Sequence, residues 1–316
     1  MNLSTATVAG SALTTPVVFL VFNRPDCTAR SLAAIRAAWP RRLYVVADGP
    51  RPDRAGEAAR CAEVRELVEH GIDWPCEVIY DYAPANLGCA RRVSSGLDGV
   101  FARESEAIII EDDCVPEPTF FRYCTELLAY YRAEPQIFVI SGTNQQYREF
   151  DCAHSYFFSR YNHCWGWATW ARAWRHFDFA MKAWPDFWQS GRLTGFLQDP
   201  QLGFQWKEIF DQVAAGRIDS WGYRWVFACW LNGALSVLPR RALVKNIGFD
   251  ARATHTRKVR RELRELTTVP MEFPLVHPPR IERHAEADRH TEAMMYQVPS
   301  RLRRMLAPIK RILQGT

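Results

Sequence analysis

Short apolar runs rich in β-branched residues recur along the first part of the chain, at residues 17–22, 43–47, 78–80 and 107–110. Each reads as a strand, and the run over 107–110 as one buried on both faces. Between them lie helical patterns over roughly 27–39, 53–69 and 89–102, and the first two begin well, with Pro25-Asp26 and Pro52-Asp53. A strand and a helix alternating about every thirty residues predict right-handed βαβ crossovers and a mainly parallel sheet. A further helix is expected over 118–131, stopped before Pro135, then a strand over 137–141.

The pattern then changes. Ten of the twelve tryptophans fall between Trp165 and Trp230. We expect a second half with mixed strands, built onto the first with no independent linker. Residues 251–292 are polar, hold Arg and His, and include Pro274, Pro278 and Pro279, which reads as an extended, wrapping tail. The expected organisation is therefore a flexible start over 1–15, a first half over 16–142, a second half of the same domain over 143–256, and a tail over 257–316.

Composition narrows the classes. A chain of 316 residues with 48% hydrophobic content buries a large core. The nine cysteines (27, 61, 76, 89, 114, 124, 152, 164 and 229) form no C-x-x-C pair, which argues against a zinc site or disulfide framework and for a reducing, cytoplasmic setting. No basic, apolar leader opens the sequence, and no apolar run approaches spanning length. The net charge of +5 is local: Arg301, Arg303, Arg304, Lys310 and Arg311 lie in the last eighteen residues, and the remainder balances at 35 basic and 35 acidic residues. Nucleic acid is thus not an expected partner. Residues 300–313 read as a basic amphipathic helix, interrupted by Pro308, that suits either an anionic bilayer surface or docking on the body.

The polar ends of the predicted strands carry the candidate chemistry. Ile108-Ile109-Ile110 runs directly into Glu111-Asp112-Asp113, which places three carboxylates at the carboxyl edge of an α/β sheet, where such folds bind ligands. Crowded carboxylates repel unless a cation compensates them, and hard oxygen ligands suit Mn²⁺ or Mg²⁺ shared with phosphates. The same triplet also suits a solvated turn. Asp113, furthest from the strand, is the expected metal ligand, with Glu111 and Asp112 facing ribose hydroxyls or ligand waters. Arg24, after the first strand, can meet phosphate oxygens bidentately beside a helix start, or be a solvated turn residue. Asp48 can accept the imide hydrogen of a pyrimidine, or simply begin an Asp-Gly turn. Gly88 permits close backbone approach and Arg91 can face a pyrophosphate, although Asn-x-Gly is also a plain helix cap.

Together, Phe22-Asn23-Arg24, Ala47-Asp48-Gly49, Ile108 to Asp113, Phe120-Phe121-Arg122-Tyr123 and Cys164-Trp165-Gly166-Trp167 resemble the GT-A-fold glycosyltransferases. Within them the chain resembles the N-acetylglucosaminyltransferase I family and its bacterial relatives, over roughly 16–255. The resemblance implies an α/β, GT-A (Rossmann-like) mainly parallel sheet flanked by helices, with an aromatic-rich acceptor half. It implies that Arg24 contacts the diphosphate, Asp48 the base, Glu111 and Asp112 the ribose and donor sugar, and that Asp113 ligates Mn²⁺. Asp219, in Ile218-Asp219-Ser220-Trp221, takes the place of the general base. Asn246 to Asp250, with Thr254-His255, takes that of the loop over the donor, so Asn246 and Gly248 join the nucleotide-sugar set. The chain departs from the eukaryotic members at Gly49, where they carry a cysteine, and at Ser220, where they carry a second acid; it also lacks their amino-terminal anchor.

The implied reaction is metal-dependent, inverting transfer of a sugar from a nucleotide donor, with UDP expected, to a glycan or lipid-linked hydroxyl, as in bacterial surface polysaccharide assembly. A metal and an Arg stabilise the departing diphosphate, and Asp219 accepts the acceptor's proton. Residue by residue, Asp219 reads equally as a helix cap. His255 is a further candidate for the metal or a phosphate, Trp221 and Trp165 for acceptor contact. The non-enzymatic alternative is a carbohydrate-binding or membrane-associated accessory protein whose acidic triplet holds a structural ion.

Overall fold

A computed structural model describes residues 12–144, 146, 152–249 and 264–296. Four strands, β1 (Val17–Val21), β2 (Arg42–Ala47), β3 (Glu77–Tyr82) and β4 (Glu106–Glu111), alternate with helices α1 (Pro25–Ala38), α2 (Glu57–Gly71) and α3 (Cys89–Phe101). They pair in parallel in the order β3-β2-β1-β4. After the short β5 (Cys114–Pro116), α4 (Thr119–Tyr130) returns the chain to β6 (Ile137–Ser141).

The second half continues the same sheet. β7 (Tyr156–Ser159), β8 (Trp167–Trp170) and, further on, β9 (Leu235–Pro239) complete eight strands ordered β3-β2-β1-β4-β8-β6-β9-β7. β8 is antiparallel to both β4 and β6, so β6 and its parallel partner β9 point the same way as β4. Between β8 and β9 come α5 (Ala171–Trp174), α6 (Trp184–Gln189), α7 (Arg192–Leu197), α8 (Pro200–Ala214) and α9 (Trp221–Leu231). β10 (Val244–Asn246) pairs antiparallel with β5. This is the expected α/β architecture, a largely parallel sheet flanked by helices.

Period-two alternation divides the core. Val17, Phe19 and Val21 of β1 face α1, α2 and α4, while Val18 and Leu20 face α3 and the tryptophan-rich helices. On that second face Trp167 stacks on Trp221 at 5.4 Å between ring centroids, and Trp174 lies 5.1 Å from Trp225. Trp167, Trp170, Trp206, Trp225 and Trp230 are all fully buried. The aromatic band is therefore mostly core.

Two expectations are corrected. The second helix begins at Glu57 instead of Asp53, because Gly56 adopts a left-handed φ of 72° and turns the chain just before it. The tail, expected to be extended through residue 292, contains α10 (Ala285–Met295). Its buried face is Ala287, Asp288 and Thr291, too polar to reveal a helical stripe. Upstream the tail does wrap: Met271 N–H donates to Thr119 Oγ1 and Val276 N–H to Ser155 Oγ. Residues 1–11, and the basic segment over 300–313, lie outside the described residues. No helix among the described residues is long and apolar enough to cross a membrane.

Trp167→Ala should lower stability by about 3–5 kcal/mol, because it removes a fully buried ring from the stacked cluster; urea denaturation followed by far-UV circular dichroism measures it.

Candidate active site at the carboxyl edge of the sheet

β1, β2 and β4 all end on one edge, and their register sets what meets there. Leu20 pairs with Glu111 and Val21 with Ala47, so Arg24, Asp48 and the acidic triplet emerge from neighbouring strands. Arg24 Nη2 donates to Asp112 Oδ1 at 2.8 Å and to Asp113 Oδ2 at 2.7 Å. Asp112 Oδ2 also accepts the Phe22 N–H at 3.1 Å, and the Asp112 carbonyl accepts from Ser31 Oγ of α1. The guanidinium is thus clamped between two carboxylates, which raises its pKa against the opposing effect of its own burial.

Glu111 is different. It has no hydrogen-bond or ion-pair partner among the described residues. Burial, followed by repulsion from Asp113 and Asp112, pushes its carboxyl well above the ordinary range. Asp112 is raised too, by burial first, with Arg24 pulling the other way. Three carboxylates therefore crowd one edge, and the single guanidinium in contact with them pairs with two.

A backbone segment closes over this cluster. Ile247 N–H donates to the Asp113 carbonyl, Asn246 Oδ1 accepts the Gly248 N–H at 2.8 Å, and the Gly248 carbonyl lies 3.4 Å from Arg24 Nη1. A Cβ on Gly248 would stand 2.1 Å from Asp113 Oδ2 and 2.6 Å from Arg24 Nη1, so only glycine allows this approach. The half-buried Trp165 meets Phe249 edge-on at 5.5 Å and forms part of the rim.

Asp48 and Asp219 organise the neighbouring loop. Asp48 Oδ1 accepts the N–H groups of Gly49 and Leu87, and Oδ2 accepts from Asn86 Nδ2 and the Gly88 N–H. Each oxygen already holds two donors, and this carboxylate folds the loop before α3. Asp219 Oδ2 and Oδ1 accept the Cys89 and Ala90 N–H groups at 2.9 and 3.0 Å. Asp219 therefore does cap a helix, but α3 rather than its own, and each oxygen keeps one lone pair. Burial raises the pKa of the nearby Cys89 thiol, and the charges of Glu111 and Asp219 raise it further.

Other expected site residues fall outside the cluster. Arg91 is exposed, its guanidinium 4.7 Å from the Phe179 ring centroid. Trp221, expected at an acceptor surface, is 4% exposed and stacked in the core, because the first turn of α9 faces Trp167. His255 lies outside the described residues.

Two residues that the sequence reading passed over hold the edge together. Glu57, buried at the start of α2, accepts from Asn23 Nδ2, the Arg51 backbone and the Arg51 guanidinium, which tie the loops after β1 and β2. Arg92 donates from Nε to the Ala47 carbonyl and from Nη2 to the Asp81 carbonyl. An acid in a helix's first turn was the available signal for Glu57; nothing local marked Arg92.

The donor set accommodates a hard cation. Asp113 Oδ1 meets only the Cys114 thiol, at 3.6 Å, among the described residues, and Glu111 is unpartnered. Among those residues no three acid, His or Cys side chains form a ready cage. One or two carboxylates completed by phosphates is the usual magnesium-type arrangement.

Neither a family model nor a curated protein matches the chain. Similar solved structures include a UDP-glucose pyrophosphorylase complexed with UDP-glucose, at 10% identity, 40% of this chain, 56% of that one and TM-score 0.26. Others are a UTP-bound UGPase from Acinetobacter baumannii (9%, 52% and 77%, TM-score 0.30) and mouse xyloside xylosyltransferase 1, apo form (12%, 68% and 81%, TM-score 0.35). The chain spans about half the length of the first of these. At such scores the fold assignment rests on the strand order itself.

The raised carboxyl pKa of Glu111 has a signed consequence. The folded protein keeps a proton that the unfolded chain releases near 4.5, so metal-free stability falls as pH rises from there towards about 8. Glu111→Gln should flatten that slope, by at most about 1.4 kcal/mol per pH unit, in denaturation curves taken across the range. Asp219→Ala should cost about 0.5–2 kcal/mol through the lost cap on α3, read in the same assay.

Proposed function

We propose that the chain is a metal-dependent, inverting glycosyltransferase that moves a sugar from a nucleotide donor, UDP-linked, to a hydroxyl on a glycan or lipid-linked acceptor. The observation that carries this reading is the excess of carboxylate at the carboxyl edge: Glu111, Asp112 and Asp113 crowd there, and one guanidinium pairs with only the last two. A bound divalent ion, Mn²⁺ or Mg²⁺, would supply Lewis-acid stabilisation of the leaving diphosphate, held by Asp113 and Glu111.

The chain's own residues supply the rest. Arg24 stands among the same carboxylates, and its guanidinium would offer charge and hydrogen bonds to a diphosphate bound beside them. Asp112, anchored through the Phe22 N–H, keeps the strand end in register. Asp48 holds the Asn86–Gly88 turn, which offers backbone groups to the nucleotide. Asp219, fixed at the start of α3, retains lone pairs with which to accept the acceptor hydroxyl's proton. A single base opposite the leaving group gives inversion at the anomeric carbon. Trp165, on the rim beside Phe249, is the ring left to contact an acceptor.

The accessory-protein reading loses its main support, since the tryptophans that would form a lectin face are largely interior. Contact with a bilayer, through the basic segment over 300–313, is part of the proposal on sequence grounds.

UDP with Mn²⁺ should raise the melting temperature by several degrees at saturating ligand, GDP less, and UDP without metal little. Asp113→Ala should abolish the metal-dependent part; an unchanged shift places the ion elsewhere. Asp219→Asn should keep donor binding and lower transfer by about 10²–10⁴-fold in a radiolabelled-donor assay; near-normal turnover removes Asp219 from the chemistry.

A further inference from the structure

A second charged recess lies at the far end of the sheet. A cavity of about 700 Å³ opens between α7, the start of α8 and α10, a size usual for a small-molecule site. Ser159, at the end of β7, pairs with Ser236 near the start of β9, so the recess lies towards the edge opposite the acidic triplet.

Three guanidinium groups line the cavity, those of Arg160, Arg283 and Arg289, together with the carboxylates of Asp199 and Glu292. Both acids are already engaged. Asp199 caps α8 by accepting the Gln201 and Leu202 N–H groups, and Glu292 pairs with Arg160 and accepts the Tyr161 hydroxyl. Arg283 lies 3.6 Å from Asp288. Arg289 has no hydrogen bond or ion pair among the described residues. At the back wall Arg160 is 4% exposed, and its buried Nε has no acceptor; Asp288 Oδ2 stands 3.9 Å away, beyond hydrogen-bond reach. Tyr296 adds an aromatic ring and Gln198 an amide to the same wall.

We propose that this recess binds a small anionic saccharide. Its phosphate or carboxylate meets the Arg289 guanidinium, its ring lies against Tyr296, and its hydroxyls meet Gln198. The site is independent of the function proposed above.

Isothermal titration of the full chain with glucose 6-phosphate, glucuronate, inorganic phosphate and glucose tests the proposal. Either sugar anion should bind once per chain, and which of them binds identifies the anionic group; glucose should not bind. Arg289→Ala should weaken that binding at least about tenfold, as loss of a charge-assisted contact does, with an unchanged melting temperature. Arg24→Ala should leave it intact. No binding of either sugar anion at millimolar concentration, equal binding of glucose, equal binding of inorganic phosphate, an unaffected Arg289→Ala, or loss in Arg24→Ala each overturns the proposal. Failure of UDP and Mn²⁺ to bind does not touch it.

Discussion

The edge of this sheet is governed by uncompensated negative charge. Three consecutive carboxylates leave the buried strand β4, and one guanidinium, reached from the loop after β1, lies between the last two. Arg24 satisfies Asp112 and Asp113 but leaves Glu111 without a partner, and burial makes that acid prefer its proton. Unit charges about 4 Å apart near a protein surface interact by on the order of 4 kcal/mol, so such an arrangement persists only on a scaffold that forces it. The parallel pairing of β1 with β2 and β4 is that scaffold.

Around the cluster, acids do structural work across the chain rather than along it. Asp48 gathers four donors and fixes the turn before α3. Asp219, from the start of α9, reaches the first N–H groups of α3 and couples the tryptophan-rich half to the loops at the carboxyl edge. Glu57 does the same for the loops after β1 and β2. Each is a cap or loop tie that includes a partner distant in sequence. The loop positions are therefore set by the same carboxylates that a ligand would have to approach.

That geometry explains what the sequence could and could not disclose. The alternating apolar runs were enough for the parallel half of the sheet, because buried strands and amphipathic helices leave local periodicity. The convergence of Arg24 with the acidic triplet followed from strand ends alone. Trp221 was misplaced because a ring next to a polar turn looks exposed in sequence, whereas the start of α9 points at Trp167. Asp48 read as a turn or a base contact because its four partners come from residues 49 and 86–88, chiefly across a strand. α10 was missed because its buried face is made of Asp288 and Thr291, whose burial rests on Ser159, Arg160 and Gln146 and has no hydrophobic signature.

Charge balance also orders the events at the proposed site. Three carboxylates against one guanidinium leave an excess that one divalent ion cancels, so ion binding removes the reason for Glu111 to hold a proton. The same ion competes with Arg24 for Asp113, and a displaced guanidinium needs another anion close by. A diphosphate supplies it. Gly248 passes close to both Asp113 and Arg24, so the covering segment borders any such exchange. An ion that bound without a diphosphate would leave Arg24 uncompensated. On these grounds ion and nucleotide are expected to bind with positive coupling, each strengthening the other by the same factor.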